Sequence, residues 1–288
     1  MNIVLFGEDI FSAAALQSMV TDNQKISAVI CPFYMKNREY ESLQQVADKN
    51  HIPFIHIEDV NSDALKNRLM QIAPDLIITV HLRKILHRSI YSIAGRAAIN
   101  VHPSLLPKYR GLSPHHQALL NGDRVTGVTI HFIDEKPDTG DIFLQEEIPI
   151  AENTFIYELQ IKLLSVYKHL VLQAIRQIEM NDFIQVRQDE KHASWYDRLK
   201  RSDREVDLKK SKAEIYNLIR AVSKPYKGAF YKGVTIWSAF FPDLLTEKNL
   251  LDIYAETGIY HVEDQLILRL KNGILLSDDF EINELLNG

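Results

Sequence analysis

The sequence predicts an α/β chain: a doubly wound, mainly parallel sheet in its N-terminal part and a smaller, mainly β part behind it. Three observations carry this. Short apolar runs alternate with helical patterns through residues 2–150. A polar, charged stretch poor in apolar residues follows at 187–210. Beyond it, Pro225 and Gly228 punctuate short β-like runs.

The elements follow in order. Residues 3–6 form a strand, 13–19 a helix, 26–30 a strand, and 43–47 open a second helix. Residues 52–55 are strand-like, and Asn61 or Ser62 caps a helix with Leu65, Leu69 and Ile72 on one face. Pro74 precedes the β-branched run 76–80, and 99–101 comes next. Residues 128–132 and 142–150 alternate as strands. A long helix then runs from about 154 to 179, with Ile156, Leu159, Leu163, Val166, Leu170 and Ala174 as core contacts. Such alternation gives parallel strands with helices on both faces, and ligands bind beyond the carboxyl ends of the strands. The expected domains are 1–186, carrying the chemistry, a linker at 187–210, and a small β-rich domain at 211–288. This last opens with a helix bearing Ala213, Tyr216, Leu218, Ile219 and Val222, followed by strands at 234–237, 258–262 and 266–270.

Composition narrows the function. Of 288 residues, 46% are hydrophobic and 25% charged, an ordinary globular balance, and no run approaches the roughly 20 apolar residues that span a bilayer. The opening MNIVLF has no secretory pattern, so the expected location is cytoplasmic, away from membranes. Cys31 is the sole cysteine, which excludes an internal disulfide and any multi-cysteine metal site. It reads as a small buried residue at a strand end. A net charge of −5 argues against a partner held by its nucleic-acid phosphates. Gly7-Glu8-Asp9 follows the first strand, where many α/β proteins hold phosphate, but G-x-G-x-x-G is absent and two carboxylates would oppose a phosphate. That weakens a dinucleotide oxidoreductase reading.

The most informative stretch is Asn100-Val101-His102-Pro103-Ser104-Leu105-Leu106-Pro107-Lys108-Tyr109-Arg110-Gly111. In a strand, residues i and i+2 face one side, so Asn100 and His102 point together into the crevice, and Pro103 stops the ladder. Histidine accepts or relays a proton near neutral pH, and an asparagine amide donates to an oxygen gaining negative charge. The pairing suits attack on a carbonyl. Spacing alone also fits a structural histidine beside a turn-forming asparagine. Further on, Asp134-Glu135-Lys136-Pro137-Asp138-Thr139-Gly140-Asp141 is a turn-rich acidic loop.

Asn-x-His-Pro-Ser-Leu-Leu-Pro, then Arg-Gly, then Asp-Thr-Gly-Asp resembles the formyltransferase family that uses N10-formyltetrahydrofolate. The family's three catalytic positions match Asn100, His102 and Asp138. The resemblance implies a Rossmann-like doubly wound sheet of the formyltransferase type and an open-barrel-like β domain, with folate as co-substrate and no metal. By the same resemblance Arg83, Lys84, Ile85 and Leu86 line the pterin pocket, which Asp134, Glu135, Lys136 and Pro137 close. For Ile85 and Leu86, ordinary packing is an equal reading. Ser194-Trp195-Tyr196 and 219–230 resemble the start of the second domain in the sugar-modifying and methionyl-tRNA branches.

The family offers four acceptors: methionyl-tRNA, glycinamide ribonucleotide, a nucleotide-linked amino sugar, or water. The second domain argues against glycinamide ribonucleotide enzymes, which have one. Only residues 32–40 stand where methionyl-tRNA enzymes carry a long basic insertion. From Glu205 onward 10 Lys and Arg face 13 Asp and Glu, a poor surface for tRNA. Lys224-Pro225-Tyr226-Lys227-Gly228-Ala229-Phe230 is similar to a segment of sugar N-formyltransferases, which makes a nucleotide-linked amino sugar the leading acceptor. Tyr226 or Trp237 is expected to stack on its base, and Lys108 or Arg110 to meet its diphosphate; for each, packing or a solvated charge is the plain alternative. Leu112-Ser113-Pro114-His115-His116 departs from the arabinose-modifying enzyme. The resemblance also carries the expectation of a homodimer. Methionyl-tRNA formylation and formyltetrahydrofolate hydrolysis are the alternatives.

Overall fold

The computed structural model describes residues 1–32 and 41–282. Of the short link read at 32–40 in place of a basic insertion, residues 33–40 lie outside the described residues. The elements are β1 (Ile3–Gly7), α1 (Ile10–Thr21), β2 (Ile26–Pro32), α2 (Glu41–Lys49), β3 (Phe54–Ile57), α3 (Asp63–Ile72), β4 (Leu76–Val80), α4 (Arg88–Tyr91), β5 (Ala97–His102) and β6 (Arg110–Gly111). There follow α5 (Pro114–Leu120), β7 (Val125–Phe132), β8 (Ile142–Pro149), α6 (Ile156–Met180), β9 (Trp195–Tyr196) and α7 (Lys212–Val222). The last are β10 (Ala229–Tyr231), β11 (Val234–Ile236), α8 (Leu244–Ile253), β12 (Gly258–Val262), β13 (Gln265–Leu270), β14 (Gly273–Ser277) and β15 (Phe280–Ile282).

Seven strands form one sheet in the order β3-β2-β1-β4-β5-β7-β8. β3, β2, β1, β4 and β5 are parallel, as the alternation predicts, whereas β7 runs antiparallel to β5. The chain leaves β5 and re-enters the sheet from the same end, which reverses the strand. Every residue of β1 and β4 is buried. Their near-continuous apolar sequences are what parallel strands covered on both faces require. Val4, Phe6, Ala28, Ile30 and Ile77 pack with Leu65, Leu69, Leu86 and Ile90. Each of the Val, Leu, Ile and Phe side chains contributes roughly 1.5–3 kcal/mol by leaving water.

Strand order reverses at β1, which has β2 on one side and β4 on the other. A crevice opens at such a switch point, beyond the carboxyl ends. Asp9 caps α1 there, accepting from the N–H groups of Phe11 and Ser12. Among the described residues no helix is long and apolar enough to cross a membrane.

The chain divides into two compact units. One comprises Met1–Gly111, Gly127–Ile148 and Lys162–Trp195; the other comprises Leu112–Thr126, Pro149–Ile161 and Tyr196–Gly288. The second therefore takes in α5 as well as the C-terminal part. Of its two three-stranded sheets, β10-β11-β15 and β12-β13-β14, the sequence reading expects β11, β12 and β13, and Ile267, Ile274 and Leu276 pack there against Leu250, Leu251, Tyr254 and Tyr260. Three helices escape the sequence reading. α4 is a single turn. α5 is short and opens on Pro114, and α8 shows no sharply apolar face, with Leu244, Leu245 and Ile253 exposed.

Candidate active site

Sheet register assembles the site. Asn100 of β5 lies beside Thr79 of β4 and His131 of β7. Thr79 Oγ1 donates to Asn100 Oδ1 at 2.6 Å, so the amide can point only one way. Its Nδ2 donates to His131 Nε2 at 2.9 Å and to Asp138 Oδ1 at 3.3 Å. His131 is held in turn through Nδ1, which donates to the Phe132 carbonyl at 2.8 Å. These contacts give Asn100 a fixed donor edge facing Asp138.

His102 ends β5 and is buried. Its Nε2–H donates to the Tyr109 carbonyl at 2.8 Å, which leaves Nδ1 as the basic nitrogen, 3.5 Å from Asp138 Oδ1. Tyr109 sits in the left-handed region at φ 60° and donates its N–H to Ser194 Oγ. Burial pushes His102 below the ordinary imidazole value, against the upward pull of Asp138 and of the Tyr109 carbonyl. Burial alone would raise Asp138, but His102, His131 and the Gly111 N–H outweigh it and hold the carboxyl well below the usual range. At neutral pH the pair rests as imidazole and carboxylate, and a proton arriving at Nδ1 meets a negative charge.

Asp138 itself has φ 55°, a conformation few residues other than glycine adopt without cost, and contacts on both sides secure it. Gly111 N–H donates to its Oδ2 at 2.8 Å, and Gln188 Nε2 donates to its carbonyl at 2.9 Å and to the Gly140 carbonyl at 2.7 Å. Gly140 has a separate reason to be glycine: a Cβ there would run into the Phe132 carbonyl.

The profile of the formyl transferase family matches residues 1–175, and that of its C-terminal domain matches 198–283. The chain belongs to the formyl transferase family. It is an N-formyltransferase, as the Asn100–Gly111 and Asp138–Asp141 motifs lead one to expect. It is 33% identical over 243 residues to a methionyl-tRNA formyltransferase of Halalkalibacterium halodurans, covering 83% of this chain and 75% of that one. A methionyl-tRNA formyltransferase of Halothermothrix orenii is 32% identical, with 82% and 78% covered. Among solved structures, the sugar 3N-formyl transferase WlaRD, determined with dTDP and 5-N-formyl-THF, superposes with a TM-score of 0.75 at 20% identity, covering 96% and 97%. An N-formyltransferase from Helicobacter canadensis, in complex with folinic acid and dTDP-3-aminofucose, gives 0.74 at 22%, covering 96% and 98%. At these identities the structural likeness carries the fold.

In this formyltransferase Asn100, His102 and Asp138 come together as the sequence reading expects. Arg110 is placed differently. Its side chain is buried, and its guanidinium donates to Gln188 Oε1 at 3.1 and 2.8 Å and to both Glu190 oxygens at 3.0 and 2.7 Å. Arg110 faces inward and holds the glutamine that steadies Asp138, so the expectation of a loop charge meeting diphosphate is corrected. Gln188, Glu190 and Ser194 lie in the stretch read as a linker. Their polarity serves this network, with Gln188 buried. Lys108 is exposed.

Arg83 is half-buried, Lys84 and Ile85 are exposed, and Leu86 is buried in the core. Packing therefore accounts for Leu86 and not for Ile85. Asp134 accepts from Thr139 Oγ1 at 2.7 Å and from Lys136 N–H at 3.2 Å, which shapes the loop before Asp138. Glu135, Lys136 and Pro137 are exposed. Tyr226 belongs to the other unit, where its ring meets His116 edge-on at 4.4 Å and its hydroxyl accepts from Gln160. Sequence reasoning missed Thr79, His131 and Gln188. The first two are found only from strand register, and Gln188 carries no motif.

Proposed function

We propose that this enzyme transfers a formyl group from N10-formyltetrahydrofolate to the amine of a nucleotide-linked amino sugar. The observation that carries the chemistry is the neutral His102, with Nδ1 free beside the Asp138 carboxylate and the oriented Asn100 amide. The bound folate supplies an activated formyl carbon. As an amine adds to that carbon, the formyl oxygen gains negative charge. Asn100 holds one amide hydrogen on His131 at 2.9 Å; the other, which meets Asp138 Oδ1 at the longer 3.3 Å, turns to such an oxygen as it forms. His102 Nδ1 takes the proton that the amine loses, directly or through water, and Asp138 stabilises the resulting imidazolium. The leaving folate nitrogen takes a proton back by the same route. A covalent enzyme intermediate is not required.

The folate fits beside these residues. Ile85 offers an exposed apolar side chain on the strip 83–86, and the Asp134–Asp138 loop forms the other wall of the subsite. Asn100, His102 and Asp138 act on the reacting atoms, and Lys108 is retained as an acceptor contact.

Support for the sugar acceptor comes from the net charge of −5 and the acidic balance beyond Glu205. Methionyl-tRNA remains the second reading, favoured by 33% identity to an enzyme of that name. The test is formyl transfer to UDP-, dTDP- and GDP-linked amino sugars, read by mass, with charged initiator tRNA and no acceptor as controls. The expected result is a formyl gain on a nucleotide sugar. Formylation of tRNA alone, or formate release without an acceptor, would overturn the sugar reading.

A further inference from the structure

The acidic pair after β1 does not stand open to solvent. Glu8 is buried, and its two oxygens accept from the Arg83 N–H at 2.7 Å and from Arg83 Nε at 2.9 Å. Asp9 Oδ2 meets His81 Nδ1 at 2.8 Å, while Asp9 Oδ1 caps α1. The other ring nitrogen of His81 meets the hydroxyl of the fully buried Tyr167 at 2.9 Å, and Phe11 lies against the ring at 4.3 Å. His81 follows directly on β4, where the chain turns out of the sheet in the left-handed region at φ 50°. Such a turn persists only where its surroundings hold it.

The segment that follows is tied down residue by residue. Asn61 Nδ2 donates to the Ile85 carbonyl at 2.9 Å, Asn61 Oδ1 accepts from the His87 N–H at 2.7 Å, and the Leu86 side chain is anchored in the core. Among the described residues no protein group accepts from the main-chain N–H groups of Lys84, Ile85 and Leu86. A rigid strip with free main-chain donors suits the edge of a flat, hydrogen-bonding heterocycle.

We propose that Glu8 and Asp9 are positioning residues of the folate subsite: by pinning Arg83 and His81 they hold the strip 82–86 in the shape that receives the pterin. The proposal rests on the folate reading above. It also gives the two carboxylates at the switch point a role there. They brace the pterin wall, with their charges already engaged by Arg83 and His81.

The experiment measures binding of folinic acid by calorimetry, with separate KM values for formyl donor and acceptor. Glu8→Gln removes one oxygen's charge-assisted contact. Asp9→Asn keeps a good helix cap but removes the charge facing His81. Each is expected to weaken folinic acid about tenfold, the worth of one charge-assisted hydrogen bond, and to raise the donor KM by a similar factor while the acceptor KM and kcat move much less. His81→Asn, which tolerates the left-handed backbone, is expected to behave alike. A merely structural role would lower thermal stability without separating donor from acceptor KM. Variants that bind folinic acid as the wild type does would overturn the positioning role. A wild-type enzyme that does not bind folinic acid would overturn the folate reading and this proposal with it.

Discussion

At the scale of single residues the site is an arrangement of protonation states. Burial keeps His102 neutral at rest, while His102, His131 and the Gly111 N–H keep Asp138 ionised against its own burial, and the proposed mechanism needs that distribution because the working form of His102 is the base. The acid limb of kcat/KM is therefore expected below pH 6.5, activity falling as pH drops through the lowered His102 value. Asp138→Asn removes the charge that lifts His102, so this limb is expected to move to still lower pH while the rate at pH 7.5 falls about a hundredfold or more. A pH–rate profile of both proteins checks this; an unmoved limb would assign the titration elsewhere. Asn100 and His102 were legible because both fall on one strand, two residues apart, before a proline. Thr79 and His131 were not. They come from β4 and β7, and only the β4–β5 and β5–β7 pairings make them neighbours of Asn100.

At the scale of elements, α5 and α7 are joined by a buried histidine. His116 Nδ1–H donates to the Ala221 carbonyl at 2.7 Å, and burial pushes the imidazole down to about 4. The unfolded chain binds this proton below about pH 6.5 and the folded one does not until about 4. Stability from this residue is thus present above 6.5 and lost as pH falls toward 4, by about 3 kcal/mol at most. Urea unfolding at pH 7 and pH 4.5 is expected to show the loss in the wild type and a smaller one in His116→Gln, whose amide can still reach the carbonyl but takes up no proton. Elements with strong periodicity, β1 through β4 and α6, were readable. The 187–210 stretch was not, because polar residues that support a site and polar residues that face water have the same composition. Gln188 stands apart from the solvated residues around it only once it is seen to bridge Arg110 and the Asp138 carbonyl.

At the scale of the whole molecule, Cys31 is a ready reporter. Its side chain is fully buried at the end of β2, and burial pushes the thiol up to about 12. Reaction with a disulfide reagent is expected to follow global unfolding, with a rate tracking denaturant stability; fast modification of the folded enzyme would contradict this packing. The acceptor is also a whole-molecule property, since an acidic chain gains little from the phosphates of a long RNA. The central claim is that His102 carries formyl transfer to an amino sugar. The most direct test is single-turnover transfer from N10-formyltetrahydrofolate to a dTDP-linked amino sugar by wild type and by His102→Gln, which keeps an amide donor toward the Tyr109 carbonyl while removing the basic nitrogen. The expected result is one formyl group gained by the sugar with wild type and a rate about a thousandfold lower with the variant, folinic acid binding being retained. Equal rates in the two proteins, or a sugar left unmodified while initiator methionyl-tRNA is formylated, would contradict it.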